Sequence, residues 1–445
     1  MNTKSLTLIE NAKLLFAREK SVKTGDMLIL RDEYDRSGKI LLTSEGKIKN
    51  EQLSHYSTLF SCHISSYDAK HRLIVPAFVD MAVHLRDPGD EKTEDIITTT
   101  RLAVKGGVGN MVAMPDTVPC TDVDGIYDYI VSKSSRWGFC DIIPALPITK
   151  GNMGKEISDF GEAEKGRVYS HSSAYSGNNI SNAVLYTALD ELSKSDRTVI
   201  LDCNDSEFSK DGVINPCKYA RIQKLATIPP SAQDSAVAVA LICAEHTGAK
   251  IHITGLSTKL SVELVRKAKQ RGVKVTADTY PIYFTHCDHD IIYCGTNLKV
   301  IPPVRTKEDT KAILEGIADG TIDCIASGHR PKKNVSADFN ICDFGMSGLS
   351  TLFGASYTHL VRTRIIDLYR LVEMLTVNPI EILSLDRKGE LTPDAEADFS
   401  IISLDSEVFV NEKFLTPGRG DNPYNGMILN AGIDEVFLKG KAVLN

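Results

Sequence analysis

The chain has 445 residues, 42% of them hydrophobic and 24% charged, with a formal net charge of −7. That balance is ordinary for a soluble globular protein, and the acidic excess argues against a nucleic-acid backbone as partner. No apolar run reaches the roughly 18 residues of a membrane-crossing helix, and the opening residues lack the apolar core of a secretory leader, so no membrane partner and a cytoplasmic location are expected.

In chain order, residues 6–9, 26–30 and 39–42 read as short strands. Further strand-like runs follow at 75–80, 108–114, 141–146, 167–170, 198–203, 250–254, 273–278 and 321–327. Amphipathic stretches lie between several of them. Ser257-Thr258 caps Leu260, Val262, Leu264, Val265 and Ala268 before a stop at Gly272, and Thr306 opens a pattern through Ile313, Leu314 and Ile317 to Gly320. Near-continuous apolar strands alternating with helices demand parallel pairing, because each crossover needs a covering helix. Eight such units predict an α/β fold of the (β/α)8 TIM-barrel type over residues 75–389. Strands at 397–402 and 435–438 near the end mirror those near the start. Neither terminal piece can bury a core alone, so 1–74 and 390–445 are expected to pair as a small composite β-sandwich. The stretch 411–425, with Pro417, Gly418, Gly420 and Pro423, reads as a loop. The ten cysteines form no Cys-x-x-Cys pair and read as buried reduced thiols. Trp137 reads as a packing residue, and His286 and His289 as parts of a solvated loop.

In a barrel of this kind the chemistry lies at the carboxyl ends of the strands. The first end carries Asp80-Met81-Ala82-Val83-His84-Leu85-Arg86-Asp87-Pro88-Gly89, and the second Met114-Pro115-Asp116-Thr117-Val118-Pro119. Later come Ile251-His252-Ile253-Thr254-Gly255-Leu256-Ser257-Thr258, Val300-Ile301-Pro302-Pro303-Val304-Arg305, and Ser327-Gly328-His329-Arg330-Pro331. In this order the motifs resemble the dihydroorotases of the amidohydrolase superfamily, over almost the whole chain. The resemblance implies a zinc hydrolase that interconverts dihydroorotate and carbamoyl aspartate. It implies ligands as His-x-His on strand one, an acid or modified lysine on strand four and single histidines on strands five and six. A proton-transferring Asp would close strand eight. In such chemistry the metal lowers the pKa of a bound water and polarises the amide, and the Asp moves the proton.

Against that pattern, the first histidine of strand one is Ala82, leaving His84, and strand four carries Ser170-His171-Ser172-Ser173 in place of Ser-Asp-Asp-Gly. Strand five has Asp202-Cys203-Asn204-Asp205 for His-Cys-Glu-Asp. The strand-six histidine is Gly255, and the catalytic Asp is Gly328. Ala82 and Gly255 have no side-chain donor, and Gly328 has no proton to move. His84, His171 and Asp202 are competent ligand types and are the candidates for a rebuilt zinc site. For substrate binding, Arg86 matches a carboxylate-binding arginine, Asp116 replaces an expected Asn, and Asn297 matches a family asparagine. The leading expectation is an inactive homologue without a cofactor, acting as a scaffold or regulator. The resemblance implies aspartate transcarbamoylase as its partner, and self-association is also expected. The alternatives are an active metal-dependent cyclic-amide hydrolase and a non-catalytic binder of a small anionic pyrimidine precursor.

Overall fold

In the computed structural model, which describes residues 3–160, 167–195, 197–386, 388–411, 414 and 421–444, the strand-like runs assemble into two eight-stranded sheets. The first third of the chain contributes β1 (Lys4–Phe16), β2 (Ser21–Asp32), β3 (Ser37–Glu45), β4 (Ile64–Asp68) and β5 (Leu73–Pro76). The barrel takes β6 (Phe78–Val83), β7 (Val108–Ala113), β8 (Asp141–Pro147), β9 (Val168–Ser172), β10 (Thr198–Asp202), β11 (Lys250–Thr254), β12 (Val275–Thr279) and β13 (Cys324–Ile325). Then β14 (Phe399–Phe409), β15 (Ile428–Leu438) and β16 (Lys441–Ala442) return to the first sheet.

Strands β6 to β13 neighbour one another in chain order, all parallel, as expected for a TIM barrel. Each is covered on both sides, which is why its sequence reads as a continuous apolar run. Val79, Met81, Ala82, Val112, Val168 and Ile200 fill the interior. Phe78, Met111, Tyr169, Leu201, Ile253 and Val275 face outward, into the layer shared with the surrounding helices. The helix starts fall where the caps place them. Thr258 accepts the Ser261 amide at the head of Lys259–Gln270, and Thr306 and Asp309 form a reciprocal box at the head of Lys307–Ala318.

Closure of the barrel is economical. A parallel bridge joins Val83 to His329, and the His84 amide donates to the His329 carbonyl at 2.8 Å. The carboxylate of Asp80 adds a side-chain link, its Oδ1 accepting the amides of Ala82 and Ser327, both at 3.1 Å. Inside the neighbouring loops Glu94 Oε1 and His329 Nε2 lie 2.7 Å apart, with both side chains almost fully buried.

The terminal strands make one composite unit, in which β14 pairs with β5 and β1 pairs with β2, β4 and β5. A register shift around Asn11 lets β1 pair with β4 along its first half and β5 along its second. The expected first barrel strand at 75–80 is in fact split at Ala77. The Ala77 amide donates to Asp398 in the terminal sheet, whereas the Phe78 amide donates to Gly107 in the barrel. Pro76, which has no N–H, ends the outer strand. The eighth strand is much shorter than the expected 321–327. Trp137 is 63% exposed, so it is no packing residue. All ten cysteines are free, six buried and four partly buried. Of the expected loop at 411–425, residues 412–413 and 415–420 lie outside the described residues. No helix among the described residues is long and apolar enough to cross a membrane.

Candidate functional site at the barrel mouth

At the end of β6, His84 is 2% exposed and its Nδ1 lies 3.0 Å from Asp116 Oδ2, on the loop after β7. Arg330 Nε stands 3.8 Å from the same oxygen. Tyr175 completes this group: its ring meets His84 edge-on at 4.7 Å and lies under the Arg330 guanidinium at 4.2 Å. Burial pushes the Asp116 carboxyl up, but His84, Arg330 and Arg86 outweigh it and hold the carboxyl below its ordinary range. Asp116, where an Asn was expected, is therefore held as a carboxylate between basic neighbours. It is itself the anion of this pocket.

The remaining basic groups are engaged with the chain. Arg86 donates from Nε and Nη2 to the Pro331 carbonyl at 2.9 and 2.7 Å. Arg330 Nη1 reaches the Phe344 carbonyl, and Lys332 Nζ the Thr296 carbonyl. Asn297 lies half-buried on the turn Gly295–Leu298, outside the hydrogen-bonded set around Asp116. The expected solvated loop holds for His289, whose side chain is 73% exposed. His286 is instead buried against Tyr424, which lowers its pKa to about 4.

Of the three candidate ligands, His84 and Asp202 share the mouth, close enough for the His84 charge to act on the Asp202 carboxyl, and His171 does not join them. Asp202, at the end of β10, shares the inward parity of Ile200; it accepts from Ser172 Oγ at 3.0 Å, and burial raises its pKa to about 6. His171 pairs in register with Leu201, which faces outward. Neighbours across a parallel ladder share a face, so His171 points away from the mouth. Its Nε2 lies 3.0 Å from the Asn178 carbonyl, and burial lowers its pKa to about 4. Among the described residues no group of three or more His, Cys, Asp or Glu side chains could hold a metal.

Both glycine positions turn out to face one side chain that sequence reasoning passed over. Tyr280, just beyond β12, is 4% exposed, and its hydroxyl lies 3.2 Å from Thr254 Oγ1. A Cβ at Gly255 would stand 3.0 Å from its Cζ and Oη, and a Cβ at Gly328 would stand 2.3 Å from its Cδ2. Both glycines also have positive φ, +72° and +60°. The phenol thus fills the space into which side chains from strands six and eight would project. Below it His252 and Asp278 form a fully buried pair, Nε2 to Oδ2 2.9 Å, with Asp278 Oδ1 accepting from Thr254 and the Gly255 amide. With no third side-chain donor grouped with His84 and Asp202 among the described residues, and the phenol set against Gly255 and Gly328, the residues present do not fit a tetrahedral zinc centre. An aromatic directly after a strand end, in Asp278-Thr279-Tyr280-Pro281, was the available signal.

Residues 71–261 match the family model described as Dihydro-orotase-like. A dihydroorotase of Acetivibrio thermocellus is 36% identical over 381 residues, 84% of this chain and 88% of its own. One of Ruminiclostridium cellulolyticum is 36% identical over 413 residues, 92% and 94%. The chain belongs to the dihydroorotase family. Solved structures agree on the fold: the L-hydantoinase (dihydropyrimidinase) of Arthrobacter aurescens aligns with a TM-score of 0.81 at 21% identity, covering 98% of this chain and 95% of its own. Within a dihydroorotase-family barrel, then, the mouth is occupied by Tyr280 and by an internal carboxylate paired with His84.

Proposed function

We propose that this dihydroorotase-family protein does not hydrolyse cyclic amides and serves the pyrimidine pathway as a scaffold or regulatory subunit. The observation that carries this reading is the Tyr280 ring against Gly255 and Gly328, which fills the space that ligand and acid side chains at those two positions would need. The missing donors at Ala82, Gly255 and Gly328 point the same way, since each must be present for the chemistry described above. Aspartate transcarbamoylase is the partner this role implies. A scaffold suits the mouth better than a precursor sensor, because Arg86 already spends its fork on Pro331 and Asp116 supplies the pocket's anion.

The test has two parts. Protein purified without chelator is assayed for zinc and for dihydroorotate turnover, and then mixed with aspartate transcarbamoylase for size-exclusion analysis. The proposal expects substoichiometric zinc, no turnover and a shared peak. Stoichiometric zinc with turnover lost in His84→Ala would establish the active hydrolase instead. Saturable calorimetric binding of carbamoyl aspartate without turnover would favour the anion-binding alternative.

A further inference from the structure

Where the helix Ile96–Lys105 meets the terminal sheet, a cavity of about 330 Å³ lies between the barrel and strands β14 and β15. Half-buried Val408, Ile433 and Leu444 give it an apolar wall, together with buried Phe353 and Leu429. The sheet is deformed beside it. Pairing of β14 with β15 jumps between Ser403 and Glu407, and Ala431 near that bulge takes a φ of +66°. Left-handed backbone is unfavourable for a residue with a Cβ, and such strain gathers at functional sites. Ser406, Ala431 and Gly432 of this bulged stretch all line the cavity.

Two polar side chains in the lining lack a complement. Lys105, half-buried, has one long bond from Nζ to the Phe414 carbonyl at 3.3 Å and no carboxylate partner among the described residues. The charge that acts on it is Arg101, of the same sign. Ser350 Oγ makes no hydrogen bond among the described residues, yet it is not one of the atoms sealed from solvent. The two lie on adjoining segments, since a Cβ at Gly106 would stand 2.1 Å from the Leu349 carbonyl. Both are donors: an ammonium has no lone pair, and a hydroxyl without an acceptor has its proton to give. Asp434, a carboxylate in the same lining, is already paired with Arg72 at 3.3 Å. We propose that this cavity binds a small carboxylate with an apolar tail. The carboxylate accepts from Lys105 Nζ and Ser350 Oγ, and the tail lies along Val408, Ile433 and Leu444. A single ammonium balances a single charge, which favours a carboxylate over a phosphate dianion. The volume falls in the range of small-molecule sites, and junctions between structural units are where such sites collect. The site lies apart from the barrel mouth and does not depend on whether the mouth is active.

The test titrates the full chain with hexanoate, octanoate and decanoate by isothermal calorimetry. The primary amide of each acid, which keeps the tail and drops the charge, and acetate, which keeps the charge and drops the tail, serve as matched controls. Saturable binding of at least one of the three acids is expected, with its amide about tenfold weaker, the effect of a lost charge-assisted hydrogen bond. Lys105→Met should weaken the acid by a similar factor and leave the amide unchanged, whereas Lys105→Arg should retain the preference for the acid. Val408→Phe, which fills the cavity from β14, should abolish binding of both. Circular dichroism confirms that the variants are folded, and Lys105→Met decides the matter alone where Val408→Phe is not. Absence of saturable binding by all three acids would overturn the proposal. Equal binding of acid and amide, undiminished binding in Lys105→Met, or binding that survives in folded Val408→Phe would overturn it as well.

Discussion

If the Tyr280 ring is what fills the space above Gly328, the cost of a side chain at 328 must depend on that ring. In Gly328→Ala the new methyl would stand 2.3, 2.6 and 2.7 Å from Cδ2, Cε2 and Cγ of Tyr280, all far inside van der Waals contact. Overpacking of this kind costs about 1–3 kcal/mol. The backbone at φ +60° adds about 1–2 kcal/mol for any residue with a Cβ. The single substitution should therefore destabilise by about 2–5 kcal/mol. Tyr280→Ala alone should cost about 3–5 kcal/mol, as for other buried aromatics. With the ring removed, Gly328→Ala retains only its backbone penalty, so the double variant should be more stable than additivity allows by about 1–3 kcal/mol. Urea unfolding of the four proteins, followed by far-UV circular dichroism with m-values compared, measures this coupling. An identical cost of Gly328→Ala in both backgrounds would refute the claim that the phenol occupies this position.

Three further outcomes follow from the same geometry. Asp202 has a folded pKa of about 6 against an ordinary 3.8, so ionising it opposes folding as pH rises through that window. Asp202→Asn should therefore be more stable than the parent by about 3 kcal/mol above pH 6 and match it below pH 3.8; a pH-independent difference in urea midpoints would contradict this. The sign reverses for Asp116, whose lowered pKa gives stability that is present above pH 3.8 and lost as pH falls through its folded value. Asp116→Asn should cost about 1.5–3 kcal/mol at pH 7 and show a flatter acid limb, unless the His84 contact contributes nothing. Glu94→Ala strands His329 in a buried site and should cost about 3–5 kcal/mol; a loss under 1 kcal/mol in the same unfolding assay would show that the pair is not coupled.

Much of this architecture could be read from residue order alone. Strand burial on two faces leaves continuous apolar runs, and the caps at Thr258 and Thr306 mark helix starts wherever the fold goes. Family motifs located the loops that follow β6 and β13, in which His84, Arg86 and Gly328 lie. Side-chain direction was less legible. Strand faces alternate with a period of two, so placing His171 in the mouth needed a register that only pairing with Leu201 supplies. The split at Ala77 was hidden because both halves are apolar and buried; what separates them is the sheet each amide reaches. Gly255 and Gly328 were visible as losses, but the meaning of a glycine lies in what enters the space it vacates, and Tyr280 comes from another strand end. Glu94 was equally invisible, being defined by a partner 235 positions away.

The seam between β6 and the end of β13 gives the barrel a mechanical direction. A closed hoop of ladders resists opening everywhere alike, whereas this one is fastened at a clasp made of one bridge, the Asp80 carboxylate and the Glu94–His329 contact. The short β13 leaves few ladder bonds to share the load there. Transient unfastening would expose the amides of His84 and Ser327 to solvent while β9, β10 and β11 stay zipped. Anything that gripped the loops on both sides of that clasp would hold the whole ring shut.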